Sequence, residues 1–208
     1  MVLIYFTMKD EIRKVIQTEA QAIQNIPVND SFEKALGIIY NAVHVKHGKL
    51  IVSGMGKAGQ IAINIATTFS STGTPAVFLH PADAQHGDLG VMQPNDALLL
   101  ISNSGKTREI LELVQLTERL YEHVPIIVLT GNSQGELAQL ADVCLNTGAP
   151  AEVCPLGLSP TTSTTVMTVI GDVLVVMMMK KIDFTAEDYA KRHHGGYLGE
   201  KSKAMGKK

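Results

Sequence analysis

Three short turns in this 208-residue sequence carry residue types that bind and polarise small oxyanions: "SGMGKAG" at 53–59, "SNSGKT" at 102–107 and "SPTTSTT" at 159–165. The second sets the hydroxyls of Ser102, Ser104 and Thr107 beside Asn103, directly ahead of a helix-like run. Hydroxyl donors and free helix N–H groups would there surround one phosphoryl group at the positive end of a helix dipole. The same residues also make an ordinary Ser/Thr helix cap. The ending Ser104-Gly105-Lys106-Thr107 looks like a nucleotide P-loop, but that pattern needs glycine where Leu100 stands, because the loop backbone must wrap the phosphates in conformations open mainly to glycine. A single terminal phosphomonoester suits the turn better. In the first turn, Gly54, Gly56 and Gly59 have dinucleotide-binding spacing, yet the next strand-like run, "PAVFLH", ends in His80 where a ribose-binding acid is expected, which argues against NAD. Lys57 in that turn is a cation suited to a developing oxyanion, or else a solvated loop lysine.

The elements that must hold these turns follow from hydrophobic periodicity. "KDEIRKVIQTEAQAI" and "NDSFEKALGIIYNAV" have helical spacing, and Gly48 ends the second. Continuously apolar runs then alternate with helical ones: "KLIVSG", "PAVFLH", "DALLLIS", "VPIIVLTG" and "DVCLNT" are the strands. Such alternation predicts an α/β fold, a three-layer α-β-α sandwich with a five-stranded parallel sheet of flavodoxin/Rossmann-like type covered on both faces. In these sheets ligands sit beyond the carboxyl ends of the strands, where all three turns fall. One domain is expected over 1–208, with N-terminal helices at about 8–47, an α/β core at about 48–200 and a solvated basic tail at 201–208.

Composition narrows the partners. A net charge of −2 gives no basic field for nucleic acid or an anionic membrane. Cys144 and Cys154 form no CxxC and read as packing residues in a reducing cytoplasm. "MVLIYFT" lacks the basic flank of a signal peptide. The apolar run at 166–179 is interrupted by Asp172 and falls short of the roughly 20 residues that span a bilayer, so it reads as a buried helix with Met177, Met178 and Met179 as adaptable core filler.

The motifs "VSGMGKAG", "TFSSTGTPAVFLHPADAQHGDLG", "ISNSG", "CPLGLSPTTSTT", "DFTAEDYA" and "GGYLG" resemble, in order, the sugar isomerase (SIS) domain of the bacterial D-arabinose 5-phosphate isomerases, over roughly residues 33–200. The resemblance implies interconversion of D-arabinose 5-phosphate and D-ribulose 5-phosphate, supplying the eight-carbon sugar Kdo for lipopolysaccharide or capsule. It also implies a cytoplasmic homotetramer with active sites between subunits, and a short form without the CBS modules of longer members. Lys106 stands where the family usually has an acid, Ala58 and Gln60 replace Ser and His near Lys57, and His194 replaces a Pro.

By the same resemblance, Lys57, Glu109, Glu152 and His193 are the expected catalytic set, and His86 is expected beside them to bind a sugar hydroxyl or share the ring-opening role. Glu152 is assigned as carbon base, Lys57 as stabiliser of the enediolate oxygen, His193 as the group for ring opening or oxygen proton transfer, and Glu109 as the residue orienting Lys57. Ser53, Gly73, Thr74 and His80 are expected to line the sugar site with Ser102, Asn103, Ser104 and Thr107. His80 is also the candidate for an adventitious metal that the reaction does not need. Enediol chemistry requires acid-base groups and an oxyanion stabiliser but no redox cofactor. Two alternatives stay open: a non-catalytic sugar-phosphate-binding module, and an isomerase of another phosphosugar.

Overall fold

The structure, a computed structural model, describes residues 7–205. The opening "MVLIYF" and residues 206–208 lie outside the described residues, and the signal-peptide reading and the end of the tail fall there.

Thr7 opens α1 (Met8–Gln24) with a reciprocal capping box, its hydroxyl accepting the Asp10 N–H while the Asp10 carboxylate accepts the Thr7 N–H. α2 (Ser31–Tyr40) runs straight into a π-helical turn, Asn41–Val45. The five strands, β1 (Leu50–Gly54), β2 (Ala76–Phe78), β3 (Ala97–Ile101), β4 (Ile126–Thr130) and β5 (Val143–Asn146), form one parallel sheet in the order β2-β1-β3-β4-β5. Between them lie α3 (Lys57–Ser71), the short α4 (Pro81–Ala84), a 3-10 turn at Asp88–Val91, α5 (Arg108–Leu120) and α6 (Glu136–Gln139). After the sheet come α7 (Thr162–Lys181), α8 (Ala186–Arg192) and α9 (Gly196–Met205).

The central strands are apolar throughout because both faces are covered. Alternate residues of β1 and β3 divide between two cores: Leu50, Val52, Leu99 and Ile101 pack with Phe69, Ile170 and Leu174 on one side, and Ile51, Leu98 and Leu100 pack with Ile110, Leu113 and Val114 on the other. Each such aliphatic side chain, once fully buried, contributes about 1.5 to 3 kcal/mol. This is the sandwich expected from the sequence. α7 is long and apolar enough to cross a membrane by length and composition alone, yet Val166, Met167, Ile170, Leu174, Val175 and Met178 make it a core helix. Met178 is buried whereas Met177 and Asp172 face outward.

Residues 201–205 continue α9, with Lys201 and Met205 exposed and the Ser202 hydroxyl buried, donating to the Gly199 carbonyl at 2.9 Å. Lys, Ala and Met are good helix formers, and this bond ties the last turns together.

Candidate active site

In a sheet of this order, the connections leave β1 and β3 in opposite directions, opening a crevice between their carboxyl ends. Lys57, Ser102, Asn103, Ser104 and Thr107 meet there, with Met55, Ala58, Pro160, Ser163, Thr164 and Met167 completing a cleft of about 320 Å³. A larger cleft of about 520 Å³ lies at the other end of the sheet, lined by Glu118, Glu122, His123 and Asp142. It contains no element of the three oxyanion turns, and its three carboxylates would repel a phosphate.

The turn after β1 is tight because it has no room for side chains. A Cβ on Gly54 would stand 2.7 Å from the Ala58 backbone, and one on Gly59 would stand 2.7 Å from the Gly54 carbonyl oxygen. Lys57 begins α3 and is exposed into the cleft. A cation at a helix N-terminus opposes the dipole, so helix stability does not account for it. Ser53 is fully buried and donates to the Leu79 carbonyl at 2.6 Å, fixing the β1 end against the residue before His80.

The loop after β3 closes on itself. Ser102 Oγ lies 2.8 Å from Thr107 Oγ1, the Gly105 N–H donates to the Ser102 carbonyl at 3.1 Å, and Gly105 takes a φ of +64° that favours glycine. Thr107 does not cap α5 with its side chain, which leaves the first N–H groups of that helix available to an anion. The ordinary-cap reading is thus set aside for Thr107. Neighbouring residues that the sequence reasoning did not single out brace the loop. The Gly131 N–H donates to the Asn103 carbonyl at 3.1 Å, and Asn132 Nδ2 donates to the Ser104 carbonyl at 3.1 Å. The Thr130-Gly131-Asn132 turn at the next strand end was their available signal.

Glu152 lies in the connection from β5 to α7 and caps α7. Its Oε2 accepts the Thr161 N–H at 2.7 Å, the Thr161 hydroxyl at 3.0 Å and the Ser163 N–H at 3.3 Å, while Oε1 accepts the Ser163 hydroxyl. Desolvation pushes its pKa up, but the hydrogen bonds from Ser163 and Thr161 outweigh it and hold the carboxyl below its ordinary 4.5. Ser163 and Thr164 were missed as individual site residues, although the "SPTTSTT" turn had marked the segment. Two residues beyond Glu152, Cys154 is a turn-forming group more than a packing one. Its sulfur accepts the N–H groups of Leu158 and Ser159 at 3.2 and 3.1 Å.

The remaining expected residues divide between the two ends of the sheet. His80 follows β2 at the carboxyl end, where its Nδ1 is cut off from solvent without a hydrogen-bond partner and lies 3.7 Å from the Asp83 carboxylate. No group of three or more His, Cys, Asp or Glu side chains is placed to hold a metal ion among the described residues. His86 is exposed just before Gly87 and the 3-10 turn. Glu109, in the first turn of α5, makes no ion pair with Lys57 among the described residues.

Gly73 and Thr74 precede β2 and so sit at the amino end, where Thr74 Oγ1 is 3.1 Å from His44 Nε2. The C-terminal segment lies against the same end: a Cβ on Gly73 would stand 2.8 Å from the Phe184 ring, and Arg192 packs over that ring at 5.5 Å. His193 follows Arg192. Its ring stacks on Tyr189 at 3.7 Å, and its Nδ1 lies 3.0 Å from the Tyr189 carbonyl. A carbonyl only accepts, so Nδ1 carries the proton and Nε2 keeps its lone pair in the neutral ring. One chain therefore does not bring His193, Gly73 or Thr74 to Lys57.

Fold and cleft define an α/β protein with a hydroxyl-lined crevice at the β1/β3 switch point. Residues 44–177 match the SIS domain model, and the chain belongs to that family. It is 44% identical over 191 residues to the arabinose 5-phosphate isomerase KdsD of Yersinia pestis, a match covering 91% of this chain and 56% of the relative. The chain spans about half the length of the curated relatives it matches. A candidate phosphosugar isomerase involved in capsule formation from Bacteroides fragilis NCTC 9343 is 64% identical, with TM-score 0.91 over 92% of this chain and all of that one. An Escherichia coli CFT073 protein solved in complex with arabinose 5-phosphate is 31% identical, with TM-score 0.82 over 90% of this chain and 100% of the other.

Proposed function

We propose that the chain is an aldose-ketose isomerase that interconverts D-arabinose 5-phosphate and D-ribulose 5-phosphate through an enediol, in the synthesis of Kdo for lipopolysaccharide or capsule. The observation that carries this reading is one cleft in which the Ser102–Thr107 loop, Lys57 and the Glu152-bound Ser163 face each other. The relatives named for the same activity, and the similar protein solved with arabinose 5-phosphate, support it.

The phosphate rests against Ser102, Asn103, Ser104 and Thr107 and the first N–H groups of α5. Lys57 then meets the oxygen that becomes negative as the C2 proton of the aldose leaves. A carboxylate that accepts four hydrogen bonds is stabilised as the anion and is correspondingly a weak proton acceptor. Proton abstraction from carbon is therefore assigned to the free Nε2 of His193, with Glu152 fixing the Ser163 hydroxyl at the cleft wall. His86 and His80 serve the ring-opening end of the sugar. Glu109 supplies a carboxylate one turn from the phosphate loop, and Ser53 holds the β1 end.

His193 comes from a second copy of the chain, since within one copy it lies at the opposite end of the sheet with Gly73 and the buried Thr74. A cytoplasmic homotetramer with composite sites accommodates this. Met8, Ile12, Val15 and Ile16 on α1, with Val173, Val176 and Met177 on α7, are exposed apolar side chains suited to subunit contacts. The enediol route calls for no redox cofactor, and neither nucleic acid nor membrane is part of the reading.

The test is turnover of D-arabinose 5-phosphate in heavy water without added cofactor, followed by proton NMR. Deuterium should enter C1 of ribulose 5-phosphate, because the returning proton exchanges with solvent. Absence of turnover would favour a binding module, and conversion that required NAD would overturn the isomerase. Glu152→Gln should keep measurable exchange while His193→Gln abolishes it; the reverse pattern returns the base to Glu152.

A further inference from the structure

α1 exposes most of its length, yet Glu19 turns partly inward, three positions before the buried Ala22 on the same stripe. Glu19 Oε1 accepts the Thr162 hydroxyl at 3.0 Å. Its Oε2 is shut off from solvent with no hydrogen-bond partner among the described residues. An unpaired buried carboxylate oxygen costs stability, so packing does not explain the residue; what it orients does.

Thr162 is the fully buried first residue of α7, and its hydroxyl also accepts the Val153 N–H at 3.1 Å. A hydroxyl has one proton, and giving it to Glu19 turns the lone pairs toward Val153. Val153 directly follows Glu152, and Thr162 stands between Thr161 and Ser163, the two donors to the Glu152 carboxylate. Glu19 thus pins, through one hydroxyl, both segments that the Glu152 carboxylate joins.

We propose that Glu19 is a positioning residue for Glu152 and for the Ser163–Thr164 wall of the cleft, acting through the Thr162 hydroxyl. Its kinetic consequence rests on the isomerase reading above, whereas its structural consequence does not. The phosphate loop stands on other elements, so loss of Glu19 acts on kcat and leaves KM nearly unchanged.

The experiment compares Glu19→Ala, Glu19→Gln, Thr162→Val, Thr162→Ser and the double variant Glu19→Ala/Thr162→Val in the full chain. Glu19→Ala should lower kcat about tenfold, the scale expected when a wall that positions the substrate shifts by a fraction of an ångström. Glu19→Gln and Thr162→Ser, which keep an acceptor and a donor, should stay within about twofold, and the double variant should be no worse than its single parents. Independently of activity, the Glu152 carboxyl is titrated by carbon-13 NMR, with its resonance assigned by loss in Glu152→Gln. Loosening the turn weakens the donors that hold Glu152 ionised, so Glu19→Ala should raise its pKa toward the ordinary value. Simple removal of a neighbouring negative charge would lower it. A wild type without turnover sinks the isomerase reading while the titration still decides the role of Glu19. Additive losses, an unmoved or lowered Glu152 titration in Glu19→Ala, or a loss confined to thermal stability would each overturn the proposal.

Discussion

Ser102 Oγ and Thr107 Oγ1 stand 2.8 Å apart across the mouth of the loop after β3, so one hydroxyl donates to the other, while Asn103 and Ser104 between them are exposed. Ser104, exposed at the tip, accepts the Lys106 N–H at 3.2 Å and keeps its own proton to donate. Ser104→Ala should therefore weaken binding of a phosphosugar by about 1 to 2 kcal/mol, read by calorimetry, and leave binding of the dephosphorylated sugar unchanged. Equal losses for both sugars would remove the loop from the phosphate.

Lys57 separates binding from chemistry. In the proposed reaction its charge meets the oxygen that becomes negative and not the phosphate, so Lys57→Ala should cut kcat by roughly a hundredfold or more with a far smaller change in KM. Lys57→Arg restores the charge but not the compact ammonium, and recovers only part of the rate. A variant that raised KM alone would make Lys57 a phosphate contact.

Two groups give stability a pH dependence with distinct windows. Burial holds His44 below the ordinary imidazole value of 6.5, so the unfolded chain binds the proton more readily. The stability this represents is present above 6.5 and is lost as the pH falls through the folded value. Glu152 behaves likewise lower down, present above 4.5 and lost on further acidification. In thermal melts across pH, His44→Gln should flatten the upper decline and Glu152→Gln the lower one. A slope unchanged by either substitution would assign that decline to other groups.

What the sequence made legible was local. Continuous apolar runs gave the strands because both faces are buried, and the hydroxyl-rich turns fell at strand ends where ligands bind. The placement of Gly73 and Thr74 was also within reach, since residues just ahead of a parallel strand must lie at its amino end. Glu19 was not readable: a glutamate on a mostly exposed helix looks like any solvated charge until α1 is seen against Thr162. The absent Lys57–Glu109 ion pair is of the same kind, because spacing along the chain does not fix the distance between two helix starts.

The close approach of α3 to β1 yields a stability test at the site itself. Gly59→Ala would drive a methyl group to 2.7 Å from the Gly54 carbonyl oxygen, where the obstacle is backbone and cannot swing aside. A loss of about 1 to 3 kcal/mol is expected, visible as a lower Tm, together with reduced activity because Lys57 sits on the same turn. A melt identical to wild type would mean that β1 and α3 separate without cost.

The distribution of the candidate residues makes a prediction about assembly. α7 begins beside the cleft with Thr162 and Ser163 and runs 20 residues to Lys181, about 30 Å at 1.5 Å per residue. The chain then turns at Phe184 against Gly73 and continues through α8 to His193, with Arg192 still over the Phe184 ring. No rotamer change spans that length, so a site using both Lys57 and His193 takes them from different copies. Lys57→Ala and His193→Ala proteins should each be nearly inactive alone. Mixed under conditions that let subunits exchange, they should regain activity, because mixed oligomers contain sites in which both residues are intact. The recovered fraction should follow the mixing ratio and pass through a maximum near equal amounts, with light scattering establishing that subunits have exchanged. Exchange without recovered turnover would place both residues in one copy's site and require the α8 segment to move across the sheet.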